Sequence, residues 1–438
     1  MKISVIGLGY VGLTTAVCLA SKNHTVLCVD RDEEKIDRVR RGDPTIYEEG
    51  MEELLRSALK KEDFSVDLDL AGAVKKSEVS LICVGTPSKE DGSIDLSQVE
   101  AVSKDLGRAL SMRDGYHVVT LRSTVIPGTT EDIVIPILET SSGKRAGVDF
   151  GVCMNPEFLR EGRAIRDFLS PADLGIVIGE LDERSGDVLA ELYGDFEAEV
   201  LRTSIRTAEM IKYARNSYLA KDVSFANEIA SLCERMGVDY LEVKRGMEMD
   251  GRIGRGRFLS AGVGFGGSCL PKDVSALIVK ARELGCEPRL LEATLKNNDM
   301  QPYRMLELAK RALRSVRGKR IAVLGLAFKP YTDDVREAPS IKVIESFLEE
   351  GTSLTAHDPR AMSNARRLLG DKITYAGTPE EALRDADACL IVTEWPEFSA
   401  AHLYESMKGN VIIDGRRILD PQKLSSRFVY HGIGYGGR

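Results

Sequence analysis

Through roughly the first two hundred residues, short apolar runs alternate with segments of helical period. Residues 2–6, 25–29, 79–84 and 117–121 are β-rich and mostly apolar, whereas 33–41 and 98–110 repeat apolar residues along one helical face. Strands apolar on both faces must be covered on both faces, so the alternation predicts a parallel sheet with crossover helices. The β-like runs 150–154, 174–178 and 199–201 carry the pattern to about residue 200.

The period then changes. From Thr207 to Met236 the residues Met210, Ile211, Ala214, Tyr218, Phe225, Ile229, Leu232 and Met236 follow helical spacing with no proline between them, which predicts one long helix. More helical pattern at 240–247, 274–284 and 289–315 makes the middle of the chain mostly helical. Strand pattern resumes at 320–324, 353–357, 388–392 and 411–414. The expected fold is α/β: two Rossmann-like doubly wound domains joined by a central helical domain containing one long helix, divided as 1–200, 201–300 and 301–438. Lys2-Ile-Ser-Val-Ile-Gly-Leu-Gly9 and Arg320-Ile-Ala-Val-Leu-Gly-Leu-Ala327 form a faint repeat; the second copy lacks the third glycine, so a dinucleotide is expected on the first alone. The glycine-rich tail from Gly432 to Arg438 is expected to be mobile.

Composition narrows the function. No apolar stretch approaches the roughly 18 to 20 residues of a membrane span, and the first residues read as a buried strand rather than a secretory leader, which points to a cytoplasmic protein. Eight cysteines without a CxxC, and without Cys/His pairing at zinc spacing, argue against a disulfide framework and against a metal site. A net charge of −8 disfavours nucleic acid and leaves a small anion as the expected partner.

Gly7-Leu-Gly9-Tyr10-Val11-Gly12 follows the first strand and opens a helical stretch. The first glycine permits the tight turn, the second lets backbone approach a pyrophosphate, and the third lets helix pack on strand. Asp30 ends the second strand, where a carboxylate accepts from ribose hydroxyls and repels a 2′-phosphate, so NAD is expected over NADP despite Arg31 beside it. Val84-Gly-Thr86-Pro ends a further strand at the carboxyl edge of the sheet. Toward the chemistry, Gly264-Phe-Gly266-Gly-Ser-Cys269-Leu-Pro-Lys272-Asp273 puts a cysteine in a glycine turn before a predicted helix. A helix N-terminus and a nearby cation favour the thiolate; the residues alone leave open a reactive thiol or an ordinary turn. Glu157 and Glu161, and Lys212 and Asn216, are i, i+4 pairs expected each to share one helical face, and surface ion-pair decoration remains the alternative for either.

Seven ordered motifs join these pieces: GLGYVG at 7–12, RSTVIPGTT at 122–130, NPEFLREG at 155–162, AEMIKYARNSYLA at 208–220, GFGGSCLPKD at 264–273, GLAFKPYTDDVREAPS at 325–340 and IDGRR at 413–417. From Lys2 to about Leu424 the chain resembles the UDP-glucose 6-dehydrogenase branch of the nucleotide-sugar 6-dehydrogenases. The resemblance implies two successive NAD-dependent oxidations of a primary alcohol through a cysteine thiohemiacetal and thioester, with water releasing a uronic acid. It implies Cys269 as nucleophile, Lys212 and Asn216 as oxyanion donors, and Asp273, Thr124 and Glu157 around the catalytic water. Gly7, Gly9, Tyr10, Val11, Gly12, Asp30, Lys35, Thr86, Ser123, Thr124, Glu161, Lys272 and Arg336 would meet the cofactor, with Glu161, Ser123, Lys272 and Arg336 beside the nicotinamide and its phosphates. Glu157, Phe158, Leu159, Lys212, Asn216, Phe258, Leu259, Gly266, Cys269, Phe328, Lys329 and Arg416 would meet the substrate.

Arg252 matches an arginine that the family supplies from a neighbouring subunit, but an extra residue before Phe258 leaves the register open among Arg252, Arg255 and Arg257. The long helix implies a homodimer. GDP-mannose 6-dehydrogenase shares the cysteine motif and is the main alternative; Arg252-Ile-Gly254 looks more like the UDP-glucose branch. A non-catalytic ligand sensor and a one-step hydroxyacid dehydrogenase are the alternatives outside this chemistry.

Overall fold

The computed structural model describes residues 1–254 and 258–437. The chain divides into two compact units, Met1–Arg215 and Asn216–Arg438. In the first, an eight-stranded sheet runs in the order β3-β2-β1-β4-β5-β6-β7-β8, built from β1 (Lys2–Ile6), β2 (Thr25–Val29), β3 (Phe64–Asp67), β4 (Val79–Ile82), β5 (Val118–Leu121), β6 (Gly151–Met154), β7 (Ile176–Glu180) and β8 (Val200–Ser204). Neighbours pair parallel except β6 with β7, which pair antiparallel. Every residue of β4, β5 and β6 is buried, as a sheet covered on both faces requires. β3 was not anticipated: it is a short edge strand with alternating exposure, and half of its residues are polar.

The second unit holds a six-stranded parallel sheet in the order β11-β10-β9-β12-β13-β14, from β9 (Arg320–Leu324), β10 (Ser353–His357), β11 (Thr374–Tyr375), β12 (Ala388–Ile391), β13 (Val411–Asp414) and β14 (Val429–Gly432). The strand order is that of the first six strands of the other sheet, so the faint sequence repeat corresponds to a repeated Rossmann-like topology. The chain is therefore α/β, with two Rossmann-like sheets and a central helical region.

One helix of that region runs unbroken from Ile205 to Met236. Its buried face carries Glu209, Lys212, Asn216 and Asn227 among small residues such as Ala208, Ala220, Ala226 and Ala230, while Met210, Tyr218, Phe225, Leu232 and Met236 are exposed. The pattern expected over 289–315 is two helices, Arg289–Met300 and Tyr303–Leu313, because Pro302 interrupts it. The helix expected from 274 starts at Leu270, with Pro271 in its first turn where proline is tolerated. The tail is a correction: 429–432 form β14, Ile433 is buried, and Gly434 exchanges hydrogen bonds with Glu234 and Tyr240. Glycine serves close approach there, since a Cβ on Gly434 would stand 2.7 Å from that of Tyr240.

Candidate active site

The glycine fingerprint leaves β1 at Gly7, whose φ of +97° suits glycine and whose N–H donates to Val29 O at 2.8 Å. A Cβ on Gly12 would lie 1.8 Å from Gly7 O, so helix and turn pack as closely as the motif predicts. The helix Tyr10–Ser21 starts with no side-chain cap and no acidic residue in its first turn, and a Cβ on Gly9 would meet nothing within 4 Å. Open space before uncapped N–H groups fits a pyrophosphate. Asp30, buried, accepts from Leu8 N at 2.6 Å and Asp32 N at 3.1 Å, with Lys35 Nζ 3.9 Å away. Thr86 Oγ1 donates to Thr124 O at 2.9 Å and Ser123 Oγ to Val84 O at 2.7 Å, which joins the loops after β4 and β5. Val11 is half-buried beside the turn, and the hydroxyl of Tyr10 donates to Glu48. These residues fit NAD.

Glu157 follows β6. The expectation that Glu157 and Glu161 share a helical face is overturned: 155–160 have no helix and 161–162 form a turn. Side chains take the local backbone's place as partners. Asn155 Nδ2 donates to Val177 O at 2.8 Å, and Glu157 Oε2 accepts from Leu159 N at 2.6 Å. Lys212 and Asn216 do stand one turn apart on the long helix. Lys212 Nζ donates to Glu157 O at 2.6 Å and to Glu157 Oε1 at 2.9 Å, with both side chains buried. Burial opposes ionisation of Glu157, but the Lys212 ammonium, the Leu159 N–H and the Arg122 guanidinium together hold its carboxyl below the ordinary value. Phe158 lies under the Arg215 guanidinium, 3.6 Å from its ring centroid, and Leu159 is half-buried.

Cys269 caps the N-terminus of the helix Leu270–Glu283 and is exposed, with Ser268 Oγ 3.5 Å from its sulfur. One turn on, buried Asp273 accepts from Lys272 Nζ at 2.5 Å and from Asn216 Nδ2 at 2.6 Å. Lys272 thus lies on the carboxylate. Three buried amides fix the glycine loop before the cysteine: Asn227 accepts from Gly262 N at 2.7 Å, Gln301 donates to Gly262 O at 2.8 Å, and Asn298 bonds both Phe265 N and Phe265 O. The loop packs on the second sheet's glycine motif. Gly267 N donates to Arg336 O at 2.9 Å, a Cβ on Gly266 would lie 2.2 Å from Glu337 O, and one on Gly267 would lie 2.8 Å from the Phe328 ring.

Arg416 donates to Val392 O at 2.7 Å and pairs with Glu394 at 3.1 Å, and Lys329 Nζ is 5.4 Å from the Phe328 centroid. Leu259 is buried and its carbonyl accepts from Tyr240 at 2.8 Å; Phe258 is exposed. Arg336 is bidentate on Asp334. Arg252 is exposed and held by Asp250 at 2.6 Å. Arg255 and Arg257 lie outside the described residues.

Sequence reasoning missed four supports. Arg122, buried beneath Glu157, donates to Asn155 and, at 3.0 Å, to Tyr193. Buried Glu209, pushed up by burial, accepts from Gly128 N at 2.6 Å and Thr130 N at 2.9 Å and ties the end of the Thr124 loop to the helix of Lys212. Asn298 and Glu48 complete the set. Arg122 and Glu209 lie inside quoted motifs, which was a usable signal; Asn298 and Glu48 gave none.

Family models match in order: the NAD-binding domain of the UDP-glucose/GDP-mannose dehydrogenase family over residues 1–197, its central domain over 206–300 and its UDP-binding domain over 322–421. UDP-glucose 6-dehydrogenase AglM of Haloferax volcanii is 43% identical over 426 residues, 96% of this chain and 97% of that protein. GDP-mannose 6-dehydrogenase of Pseudomonas syringae pv. tomato is 42% identical over 431 residues, 96% of this chain and 95% of that protein. Among solved structures, a UDP-glucose dehydrogenase from the hyperthermophilic archaeon Pyrobaculum islandicum matches with a TM-score of 0.92 at 40% identity, covering 99% of this chain and 97% of that one. Among the described residues no helix is long and apolar enough to cross a membrane, and no group of His, Cys, Asp and Glu is placed to hold a metal ion. The chain belongs to the UDP-glucose/GDP-mannose dehydrogenase family and is an NAD-dependent dehydrogenase.

Proposed function

We propose that the protein oxidises UDP-glucose to UDP-glucuronate with Cys269 as covalent nucleophile. The observation that carries the reading is a contrast among thiols. Burial pushes Cys18, Cys83 and Cys153 up to about 12, which leaves them inert at neutral pH. Cys269 is exposed at a helix N-terminus, one turn before a carboxylate fixed by Lys272 and Asn216. A second exposed thiol, Cys286, follows the opposite end of that helix from Lys272 and Asp273.

Bound NAD supplies the hydride acceptor for each oxidation. The Cys269 thiolate adds to the carbonyl carbon of the aldehyde to give a thiohemiacetal, whose oxidation leaves a thioester. Water cleaves the thioester, the acid departs and the thiol returns. Lys212 and Asn216 donate to the oxyanion of each tetrahedral state. Thr124 helps to hold the water, and Asp273 or Glu157 takes its proton; Glu157 is kept ionised beside Lys212.

Identity barely separates the two candidate sugars, at 43% against 42%. The Arg252-Ile-Gly254 sequence and the close structural match to the Pyrobaculum enzyme support UDP-glucose. The expected stoichiometry is two NADH per UDP-glucose, and Cys269→Ser should stop before acid is released. Turnover of GDP-mannose without turnover of UDP-glucose overturns the substrate, and full activity of Cys269→Ser overturns the covalent route.

The same reading divides the chain into a cofactor domain to about residue 200, a helical domain to about 300 and a nucleotide-sugar domain beyond. It pairs two copies through the long helix, where Met210, Tyr218, Phe225 and Leu232 are between 44% and 50% exposed along one face. Sedimentation at twice the chain mass is the expected result, and a monomer at micromolar concentration would remove this part. A cytoplasmic location fits a nucleophile that must stay reduced.

A further inference from the structure

The segment after the helix Glu33–Arg40 grips the cofactor turn in a way that the chemistry above does not use. Arg38 donates to Pro44 O at 2.8 Å and holds Asp43 at 2.8 Å, which fixes where the segment begins. Thr45 Oγ1 then donates to Leu8 O at 2.9 Å, inside the glycine turn itself. Glu48 follows, with its side chain buried. Its carboxylate accepts from the Tyr10 hydroxyl, from Gly162 N at 2.7 Å and from Ala164 N at 2.8 Å, and Gly162 N also reaches the Tyr10 oxygen at 3.1 Å.

These partners belong to two separate parts of the cofactor site. Tyr10 is the first residue of the fingerprint helix, whose N-terminus faces the pyrophosphate position. Gly162 directly follows Glu161, and Ala164 opens the helix Ala164–Leu169. A dinucleotide is one extended ligand, so residues facing its pyrophosphate and residues facing its nicotinamide must be spaced correctly before it binds. A segment left to order itself on binding would lower the affinity by the entropy of that ordering. Burying a carboxylate is unfavourable, and burial pushes Glu48 up against the pull of its donors. An apolar side chain would fill the same space without that desolvation, and directional bonds to two segments are what the carboxylate adds.

We propose that Glu48 is a positioning residue for NAD: through Tyr10 and the amides of Gly162 and Ala164 it holds the Glu161 segment at a fixed distance from the glycine turn. The inference rests on the reading of Glu161 as a neighbour of the nicotinamide. It does not depend on which sugar is oxidised.

Glu48→Gln keeps the volume but replaces one acceptor oxygen by a donor, and Tyr10→Phe removes one hydroxyl. The readouts are the Kd of NADH by fluorescence titration without sugar, the Kd of UDP-glucose by calorimetry, and the thermal midpoint. NADH should bind about tenfold to a hundredfold more weakly in each variant, the scale of a lost hydrogen bond to a charged group. The double variant should be little worse than the poorer single one, because both break one network. UDP-glucose affinity should stay within about twofold, as expected for a site without shared partners. NADH affinity within about twofold of wild type in both single variants overturns the proposal. So does an equal weakening of UDP-glucose, which would make Glu48 a general structural residue. If Glu48→Gln does not fold, the same titrations on Glu48→Asp, which keeps the charge but shortens the reach to Tyr10 and the amides of Gly162 and Ala164, decide instead. A chain that binds NADH as expected but never turns over UDP-glucose refutes the proposed substrate and leaves this inference standing.

Discussion

At the end of its first strand each parallel sheet makes the same turn. Gly7 has a φ of +97° and donates to Val29 O at 2.8 Å; Gly325 has a φ of +99° and donates to His357 O at 2.8 Å. The next amide in each copy donates to the carboxylate that ends the neighbouring strand, Leu8 to Asp30 at 2.6 Å and Leu326 to Asp358 at 2.7 Å. From there the copies part. In the first a helix starts at Tyr10, whereas in the second Ala327 and Pro330 stand where Gly9 and Gly12 stand and no helix starts before Pro339. The carboxylates differ too. Asp30 accepts two protein hydrogen bonds; Asp358 accepts five, from Leu326 N, Ala327 N, Arg360 N, Ala361 N and the Trp395 indole. A carboxylate has about four lone-pair sites, so Asp358 is saturated. The turn is thus a structural device of the strand order, and it becomes a dinucleotide site where glycines, an immediate helix and an unsaturated carboxylate coincide.

If that is the lesson, equivalent substitutions should fail in different ways. The largest effect is expected for Asp358→Ala. It leaves three buried backbone amides, the part-buried amide of Arg360 and an indole N–H without their acceptor, at a cost of about 3 to 5 kcal/mol of stability. Thermal and urea unfolding measure the loss, and NADH titration of the folded fraction should show unchanged affinity. A stable Asp358→Ala protein with weakened NADH binding would mean that the second turn serves the cofactor after all.

What could be read from the chain follows the same division between local and assembled features. Both turns, the covered strands and the long helix were legible, because glycine spacing, apolar runs and helical period are properties of neighbouring residues. β3 and β14 were not: the first is a short half-polar edge strand, and the second lies in a tail whose glycines suggest mobility but serve close packing at Gly434. Glu157 and Glu161 have helical spacing without a helix, because Glu157 accepts from the nearby Leu159 N–H while Asn155 before Pro156 reaches across to Val177 O on β7. At the site, Cys269, Asp273, Lys212 and Asn216 could be named, but the carboxylate of Glu48 could not. Glu48 and Glu49 are adjacent and alike in sequence, yet one is buried under three donors and the other exposed. Only the fold decides which.

The smallest effect, and the one that bears most directly on the difference between the two carboxylates, is expected for Asp30→Asn. The amide oxygen can still accept from Leu8 N, so the turn should survive and the thermal midpoint should move little. What changes is the acceptor capacity left for the ligand, because half of the carboxylate becomes an NH2 donor and its charge is lost. Two consequences should appear together in steady-state measurements with each cofactor. The kcat/KM for NAD should fall about tenfold, the size of one charge-assisted hydrogen bond. The ratio of NAD to NADP efficiency should fall further, because the charge that repels a 2′-phosphate is gone while Arg31 remains beside the site. An unchanged ratio would show that Asp30, like Asp358, is fully occupied in holding its own turn, and the contrast between the two copies would then rest on the glycines and the helix alone.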